Sequence, residues 1–399
     1  MAKQDKVFLL IYNILSLSMN VLFLGNHPPQ DLIDKYSGRF DSFYRSNEAL
    51  IEGFRKHNEV NIRVITSPDI PSYPKEDFYF KSLFSSRDDT LMASALNVPI
   101  IKHFWTAFSM FFEARKVIRK NKGCTYVIIP YMVFRHVLAL RLISLFCKNV
   151  KVGMVIPDVF FHDKLISRWL NAFTEKMAVK SDFFILYTEA MAEYLGIKNK
   201  PFITIEGFKK IPPLYVPEEE NNNIVYAGTL DLKYGIERLV KMMSFIQEPD
   251  INLHIYGSGD AVDIIKDSSS RDNRIHFHGS VPKSEADKAI KIAMALVNPR
   301  NSQDGEFVRF SFPSKDIDYL SSGIPSVLCK LPGMPKEYYG FFIDAGDASP
   351  EQLADAVRTI YKMTLEERNA FSLRAYEFIK KRMDLNIQIN KITDLLKVA

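Results

Sequence analysis

Residues 311–327 read Ser-Phe-Pro-Ser-Lys-Asp-Ile-Asp-Tyr-Leu-Ser-Ser-Gly-Ile-Pro-Ser-Val. This stretch predicts a short helix, because proline is favoured in a first helical turn and glycine just after a last one. Pro313 would open the helix and Gly323 would close it, and a second proline follows. Ser314 and Lys315 would then lie beside free backbone N–H groups at the positive end of the helix dipole, an arrangement that holds phosphate.

Asp318 lies one turn further along the same predicted helix. Its carboxylate is placed to accept hydrogen bonds from hydroxyl groups, such as those of a ribose attached to the phosphate. The alternative is a capped surface helix with an incidental lysine. This segment alone does not separate the two interpretations.

Composition indicates a globular protein with two domains. The chain has 399 residues and a mass of 45.9 kDa, which exceeds the size at which one hydrophobic core keeps growing. Its 47% hydrophobic and 25% charged residues argue against disorder. Cys124, Cys147 and Cys329 have neither an even count nor the spacing of metal ligands, so they are expected to be buried thiols in a reducing compartment.

A formal charge of +5 and a pI near 8.8 favour an anionic partner. The chain has no arginine-rich block and no recognised nucleic-acid motif, so we expect no nucleic-acid partner. A nucleotide substrate or an anionic membrane surface fits the modest excess of charge better.

The apolar run at residues 7–24 follows Lys3 and Lys6 and superficially suggests a signal peptide. Polar residues interrupt it, and no small-residue cleavage site follows. Residues 20–25 are better interpreted as a first buried strand, with Met19 as the natural start. Residues 1–18 would then be an N-terminal extension of uncertain order.

Short apolar runs alternate with longer amphipathic stretches, the pattern of βα units around a parallel sheet. Strands are predicted at residues 20–25, 61–66, 126–130, 150–156, 183–187, 202–205, 223–226, 253–256, 275–277, 295–298, 326–329 and 340–343. Helices are predicted at residues 45–56, 103–120, 134–146, 235–246, 283–291, 313–322, 350–362 and 365–382. Residues 209–222, rich in proline and charge, predict a linker between domains at 19–208 and 223–375. Two such domains would leave a cleft at the carboxyl ends of their strands, where ligands bind.

Four short motifs follow successive predicted strands of the second half. They are Tyr226-Ala-Gly-Thr229 leading to Lys233-Tyr-Gly235, then Ile255-Tyr-Gly-Ser-Gly-Asp260, then His278-Gly-Ser-Val-Pro282 with Asn298-Pro-Arg300, and last the segment at residues 311–327. Each motif alone is weak, because glycine turns after strands are common. Their order is more specific.

That order resembles the carboxyl-terminal half of retaining glycosyltransferases of family 4, which have the GT-B architecture of two Rossmann-like, doubly wound α/β domains facing a cleft. The similarity is greatest to bacterial polysaccharide-synthesis members, through Asn298-Pro-Arg300, Ser311-Phe-Pro-Ser-Lys315, Asp318-Tyr-Leu320 and Ser321-Ser-Gly323. It is specific over residues 223–345 and only architectural over the first half. It also implies a C-terminal helix at residues 376–399 that packs back on the first domain.

The resemblance implies that the second domain holds a nucleotide-sugar donor. Ser314 and Lys315 would contact its diphosphate, Asp318 would take the position of the family's ribose-binding glutamate, and the backbone at Ser280 and Val281 would meet the base. Two arginines are expected to make additional phosphate contacts. The alternative is that each is a solvated residue on a loop. The two arginines are Arg300 and Arg309, and the remaining expected donor-binding residues are Gly228, Thr229, Lys233 and Gly257.

Several positions depart from the family pattern. Many relatives have an arginine after the first glycine and a lysine before the second, where this chain has Thr229 and Tyr234, with Lys233 shifted by one position. Phe310 stands where many relatives have a glutamate that faces the sugar. Glu306 is the nearby candidate to replace that glutamate.

Fewer motifs mark the first half. Gly25, Asn26 and His27 follow the first strand and are candidates for the acceptor side, although a surface loop would explain His27 equally well. Asp158 stands where many relatives have an acid after a sugar-contacting histidine, and the polysaccharide subgroup often has Pro-Asp there. Asp158 is therefore the first-domain catalytic candidate, unless it only caps a helix at residues 160–173. His162 and Asp163 are weaker candidates.

The predicted helices at 103–120 and 134–146 combine aromatic residues with arginine and lysine. Such faces can lie in a membrane interface and meet a lipid-linked acceptor. Packing of one domain on the other explains the aromatic residues equally well.

Together these observations predict a glycosyltransferase that moves a sugar from a nucleotide-diphosphate sugar to a glycan or polyprenol-linked acceptor. The resemblance implies retention at the anomeric carbon. We expect no metal and no cofactor, because the sequence has no Asp-x-Asp motif or His/Cys cluster. A cytoplasmic location, with peripheral contact to the inner face of the membrane, is expected. A nucleotide-sugar epimerase and a catalytically silent binding subunit are the alternatives.

Overall fold

The computed structural model describes residues 18–29, 42–67, 70–159 and 165–399. The chain forms two compact units. The first runs to Lys210 and includes Leu385–Ala399, and the second is Ile211–Asp384. Apart from Ser18, the predicted N-terminal extension lies outside the described residues.

The first unit alternates strands and helices along the chain. In order, its elements are β1 (Met19–Gly25), α1 (Ser42–Lys56), β2 (Val60–Thr66), β3 (Tyr79–Phe80), β4 (Leu83–Ser85), β5 (Thr90–Met92), β6 (Ala95–Leu96), α2 (Ile101–Lys120), β7 (Thr125–Pro130), α3 (Phe134–Phe146), β8 (Val150–Ile156), α4 (Leu165–Ala178), β9 (Phe183–Leu186), α5 (Ala190–Tyr194) and β10 (Phe202–Thr204).

Eight of these strands form one sheet in the order β10-β9-β8-β7-β1-β2-β5-β4. Every pair in it is parallel except β4 with β5. The central strands are apolar on both faces, as residues 21–24 of β1 illustrate, because helices cover both sides of a parallel sheet. The sheet order reverses between β1 and β7, so the carboxyl ends of these two strands flank a switch point.

The second unit repeats this plan with six strands. Its elements are β11 (Asn223–Ala227), α6 (Ile236–Met242), β12 (Asn252–Tyr256), α7 (Val262–Arg271), β13 (Ile275–Gly279), α8 (Lys283–Lys291), β14 (Ala295–Val297), α9 (Ser314–Leu320), β15 (Ser326–Leu328), β16 (Ile343–Asp344), α10 (Pro350–Tyr361) and α11 (Leu365–Arg382).

Its strands are all parallel, in the order β13-β12-β11-β14-β15-β16. Numbered within the unit, this is the order 3-2-1-4-5-6 of a doubly wound nucleotide-binding sheet. The switch point lies between β11 and β14. Ligands bind in such sheets outside the carboxyl ends of these two strands.

The last helix, α12 (Leu385–Val398), packs on α1 in the first unit. A close approach of the two helices is possible because α1 has Gly53 at the contact. A Cβ there would lie only 2.8 Å from Cγ1 of Ile389. Ile389 is fully buried, whereas Ile387 on the same helix is 39% exposed.

We expect Ile389→Ala to lower the free energy of unfolding by about 2–5 kcal/mol, because it leaves a cavity between α12 and α1. The matched change Ile387→Ala should cost less than about 0.5 kcal/mol, since that side chain is exposed. Urea denaturation followed by circular dichroism compares the two. Equal losses would show that α12 does not depend on this contact.

Candidate functional site

The loops after three neighbouring strands of the second unit meet through their glycines. The N–H of Gly228 donates to the carbonyl of Tyr256 over 3.0 Å, and the N–H of Gly257 donates to the carbonyl of Gly279 over 2.7 Å. Gly257 has a φ of 136°, and a Cβ there would overlap the carbonyl oxygen of Gly228. The glycine motifs therefore hold the ends of β11, β12 and β13 at one edge.

Helix α9 is fixed to both sides of the switch point. The hydroxyl oxygen of Tyr319 accepts a hydrogen bond of 3.1 Å from the N–H of Ala227, the last residue of β11. The side-chain amide of Asn298, just after β14, donates to the carboxylate of Asp316 over 2.6 Å. Gly323, predicted to close the helix, has a φ of 85°, in the left-handed region that favours glycine.

Lys315 reaches the glycine turn after β11 from this helix. It lies four residues before Tyr319, so both side chains lie on the same face of α9. The ammonium group is 3.4 Å from the centroid of the Tyr226 ring. A Cβ on Gly228 would lie 2.5 Å from Nζ, and the lysine is partly buried. The structure thus brings together Lys315, Gly228 and Gly257.

The electrostatic environment perturbs the titration of Lys315 and its neighbour. Burial lowers the pKa of Lys315 to about 7, against the opposing effect of Asp316 and Asp318 and with a smaller lowering contribution from Arg300. Burial raises the pKa of Asp316 to about 6, although the hydrogen bond from Asn298 works in the other direction. An anion bound beside Lys315 would restore the protonated form, because an opposite charge favours the charged state.

The two candidate arginines have different surroundings. Arg300 is buried, with its guanidinium carbon 4.6 Å from the centroid of the Phe307 ring and 5.2 Å from that of Tyr234. The solvated-loop alternative is therefore wrong for Arg300. Arg309 is exposed and lies 5.4 Å from the ring of Phe310.

The loop that carries Arg300 is fixed by an ion pair. Arg238, on α6, donates to the carbonyl of Pro299 over 2.8 Å and pairs with Asp304 at 2.7 Å. This pair ties the segment after β14 to the helix after β11 across the switch point.

Most of the other donor-binding candidates lie on exposed loops at this end of the sheet. Lys233 is 3.7 Å from Asp231 in an ion pair, and Val281 is partly buried. The exposed candidates are Thr229, Ser280, Glu306, Ser314 and Asp318. Phe310, in the position of the family's glutamate, is buried, so its side chain is part of the packing of this loop.

In the first unit, the segment after β1 belongs to a buried polar network. The side-chain oxygen of Asn26 accepts hydrogen bonds from Arg135 at 3.3 Å and from Ser67 at 3.4 Å. The Ser67 hydroxyl is in turn 2.9 Å from Nε2 of His136, and the carbonyl of Asn26 accepts from Asn47 at 2.8 Å. Asn26 is thus joined to α1, to α3 and to Ser67, the residue that follows β2.

His27 is buried rather than exposed on a surface loop. Its ring stacks on Tyr44 with centroids 5.2 Å apart, and burial lowers its pKa to about 4, so it is neutral at pH 7. Gly25 is buried at the end of β1, and Asp158 is exposed after β8. His162 and Asp163 lie outside the described residues, as do residues 160–164 at the start of the helix predicted at 160–173.

Sequence reasoning missed the residues that position this site. Tyr319 and Asp316 are within the motif at residues 311–327, but nothing in the pattern indicates that they reach β11 and Asn298. The spacing of four between Lys315 and Tyr319 was available as a signal. The sequence indicates Tyr226 only as the end of a strand and His136 only as part of a helix. It groups Arg135 with the basic residues of a membrane-facing helix, and this is wrong, because Arg135 is buried.

Comparisons with known proteins agree with this geometry. Residues 208–378 match the family described as Glycosyl transferases group 1. The structure of Anabaena HepE in complex with UDP is similar, with 12% identity, a TM-score of 0.64, and coverage of 94% of this chain and 100% of that one. The apo lipopolysaccharide outer core galactosyltransferase WaaB gives 13% identity, a TM-score of 0.61, and coverage of 93% and 100%.

A variant of S. aureus TarM, in complex with fondaparinux, alpha-GlcNAc-glycerol and UDP, shares 14% identity at a TM-score of 0.55. That alignment covers 80% of this chain and 64% of TarM. Comparison with curated protein sequences gives no match.

The fold, the switch point and these similarities define the class of protein: the chain is a glycosyltransferase with the GT-B fold. Its second unit is similar to the glycosyl transferases of group 1, whose family residues 208–378 match.

We expect Gly257→Ala to destabilise the second unit, because the added Cβ overlaps a backbone carbonyl and the φ of 136° is unfavourable for alanine. The strained backbone alone should cost about 1–3 kcal/mol. Gly279→Ala is the control, since it also has a positive φ but has open space where the Cβ would lie. Differential scanning calorimetry should give the lower Tm for Gly257→Ala, and equal Tm values would contradict the packing of these loops.

Proposed function

We propose that the chain transfers a sugar from a nucleotide-diphosphate sugar to a hydroxyl of a glycan on a polyprenol lipid, in the synthesis of a bacterial surface polysaccharide or exopolysaccharide. It would act in the cytoplasm, with retention at the anomeric carbon and without a metal ion. The observation that carries the proposal is the position of the Lys315 ammonium at the Gly228 turn, beside the switch point of the second sheet. The UDP in the HepE structure and the galactosyltransferase activity in the name of WaaB support the substrate classes.

Lys315 supplies positive charge at the Gly228 turn from helix α9. Thr229 and Tyr234 stand at the positions at which many relatives carry an arginine and a lysine. Lys315 reaches the same turn from α9, and Arg300 lies close enough to influence its pKa. A diphosphate beside Gly228 would therefore meet cationic groups from α9 and from the segment after β14.

The rest of the donor would extend from this turn along the exposed loops. Ser314 and Asp318 are exposed on α9, where Asp318 would accept hydrogen bonds from the ribose hydroxyls. Ser280 and Val281 follow β13, whose end is joined to Gly257 by a backbone hydrogen bond. The base would lie against their backbone.

The proposed reaction exchanges one bond at the anomeric carbon for another. The bond from that carbon to the diphosphate oxygen breaks while the acceptor oxygen attacks from the same face. The acceptor proton passes to the departing phosphate oxygen. Lys315 and Arg300 would stabilise the charge that develops on the diphosphate, the kind of electrostatic contribution that dominates in many enzymes.

The sugar and the acceptor have separate candidate residues. Glu306 is the acid nearest in sequence to Phe310, which stands in place of the family's glutamate. It is exposed at the start of the turn that ends in buried Phe310. Asp158 is the first-unit candidate, and the acceptor would lie near the ends of β1 and β8, with Gly25, Asn26, His27 and His162 as its remaining candidates.

Incubation with a panel of nucleotide sugars and polyprenol-linked glycans tests the proposed reaction. Transfer predicts a free nucleoside diphosphate together with an acceptor heavier by one sugar. A catalytically silent subunit would bind a donor without release of nucleoside diphosphate, and an epimerase would change the donor sugar without any acceptor. Either of those results would overturn the proposal.

Lys315→Ala should weaken binding of the nucleoside diphosphate by about 10- to 100-fold, the effect of losing a hydrogen bond to a charged group of roughly 1.5–3 kcal/mol. Lys266→Ala, at an exposed position on α7, is the control and should leave binding unchanged. Isothermal titration calorimetry with a panel of nucleoside diphosphates measures both. Equal affinities of the two variants for every nucleotide that binds would rule out Lys315 as the diphosphate anchor.

Binding of the nucleoside diphosphate should weaken as the pH rises above 7. The pKa of free Lys315 is about 7, so the ammonium is lost above this pH, and binding must then take up a proton. In the limiting case the affinity falls by about tenfold per pH unit. Lys315→Arg keeps its charge and should flatten the profile between pH 7 and pH 9. The same slope in both proteins would mean that another group titrates.

A further inference from the structure

One face of α2 exposes large apolar side chains to solvent. Five of them recur at helical spacing and are between 43% and 54% exposed: Ile101, Phe104, Trp105, Phe108 and Phe112. The opposite face of the helix packs inside the first unit through Ala107, Met110 and Ala114. The exposed residues therefore form a stripe along α2 that the described part of the chain leaves open to solvent.

The neighbouring helices α3 and α4 continue this apolar surface. The ring of Phe104 contacts Phe134 on α3 at 5.5 Å, and Phe134 contacts Phe173 on α4 at 6.5 Å. At the other end of α3, Phe146 lies 6.2 Å from Phe111 of α2. The further exposed members are Leu145, Phe146, Trp169, Leu170 and Phe173. We call these five residues and the five on α2 the α2–α4 face.

Positive charge accompanies the α2–α4 face. Helices α2, α3 and α4 together contain nine Lys or Arg and two Glu, whereas the whole chain has a net charge of only +5. One of the nine, Arg135, is buried in the polar network around Asn26 and does not belong to the face. Arg119 and Lys120 are exposed at the end of α2, beyond Phe112. Arg115 and Arg119 lie near enough to Cys147 to influence its pKa, so the basic end of α2 adjoins Leu145 and Phe146.

We propose that the α2–α4 face binds the surface of a bilayer that contains anionic lipids. Trp and Phe favour the boundary between headgroups and acyl chains, and Lys and Arg near that surface each contribute about 1 kcal/mol with anionic lipids. The face would lie in the interface, and among the described helices none is long and apolar enough to cross a membrane. A second copy of the chain is a poorer occupant, because it would bring the same positive excess to the contact.

This inference does not rest on the proposed reaction, since it uses only the surface of the first unit. It adds a location to that reaction: an acceptor with a polyprenol anchor would present its glycan at the same membrane surface.

The two tryptophans of the chain allow a test without any substitution. Trp105 and Trp169 are the only tryptophans in the sequence, and both belong to the α2–α4 face. Vesicles of phosphatidylcholine with phosphatidylglycerol should shift their fluorescence to shorter wavelengths, and brominated lipids should quench it. Vesicles of phosphatidylcholine alone should give a much weaker response. No shift and no quenching with the anionic vesicles would overturn the proposal.

Substitutions then separate the apolar and the basic contributions in vesicle co-sedimentation. Phe108→Ser with Phe112→Ser should lower the bound fraction on anionic vesicles, and Arg119→Glu with Lys120→Glu should weaken binding by about tenfold or more, given roughly 1 kcal/mol per charge. The matched controls lie in the second unit: Phe245→Ser, and Lys266→Glu with Arg271→Glu, all at exposed positions. Unchanged Tm values and nucleotide binding would show that the variants are folded.

If the control variants lose as much binding as the α2–α4 variants, the attraction is general and the proposal is wrong. Light scattering provides the other decisive outcome. A dimer that dissociates in the Phe108 and Phe112 variant, with no sedimentation of the wild type, would assign the α2–α4 face to self-association and would also overturn the proposal.

Discussion

The second unit of this glycosyltransferase depends on two hydrogen bonds that fix α9 across the switch point of its sheet. Tyr319 receives the N–H of Ala227 at the end of β11, and Asp316 receives the amide of Asn298 after β14. A helix of seven residues has little stability of its own, because its nucleation is costly and its hydrogen bonds are few. Its position must therefore come from these contacts and from burial of its apolar face. Lys315 and Asp318 owe their place to this anchoring.

The same anchoring has an electrostatic cost that a bound anion would relieve. Lys315 and Asp316 are adjacent, and both have pKa values shifted towards neutral pH because burial disfavours their charged forms. Arg300 adds a third charged group close to them. Without a ligand, the lysine ammonium has the face of Tyr226 as a near neighbour, which is a weaker partner than a phosphate oxygen. Burial of such a preorganised cation lowers the stability of the free protein, and a bound anion would restore that stability in the complex.

The sequence predicted the regular elements well where the apolar pattern was long, and the helices at 134–146, 283–291 and 365–382 have the observed bounds. It missed α7, whose three consecutive serines suggest a loop although Ile265 is buried, and it missed β3 to β6, which are too short to show an alternating pattern. Glycine and proline motifs located the turns at the ends of β11, β12 and β13 because turns demand those residues. The contacts of Tyr319 and Asp316 are long-range pairings, and no local pattern encodes them.

The departures from the family pattern lie beside cationic residues that the pattern shares. Lys315 and Arg300 belong to the shared motifs Ser311-Phe-Pro-Ser-Lys315 and Asn298-Pro-Arg300. Lys315 lies at Gly228, next to Thr229, which stands in place of the arginine. Buried Arg300 packs against the ring of Tyr234, which stands in place of the lysine. Phe310, at the position of the family's glutamate, is buried in its loop. Under the proposed function, recognition of the diphosphate therefore keeps its shared cationic residues, whereas recognition of the sugar needs a residue outside the family's usual position.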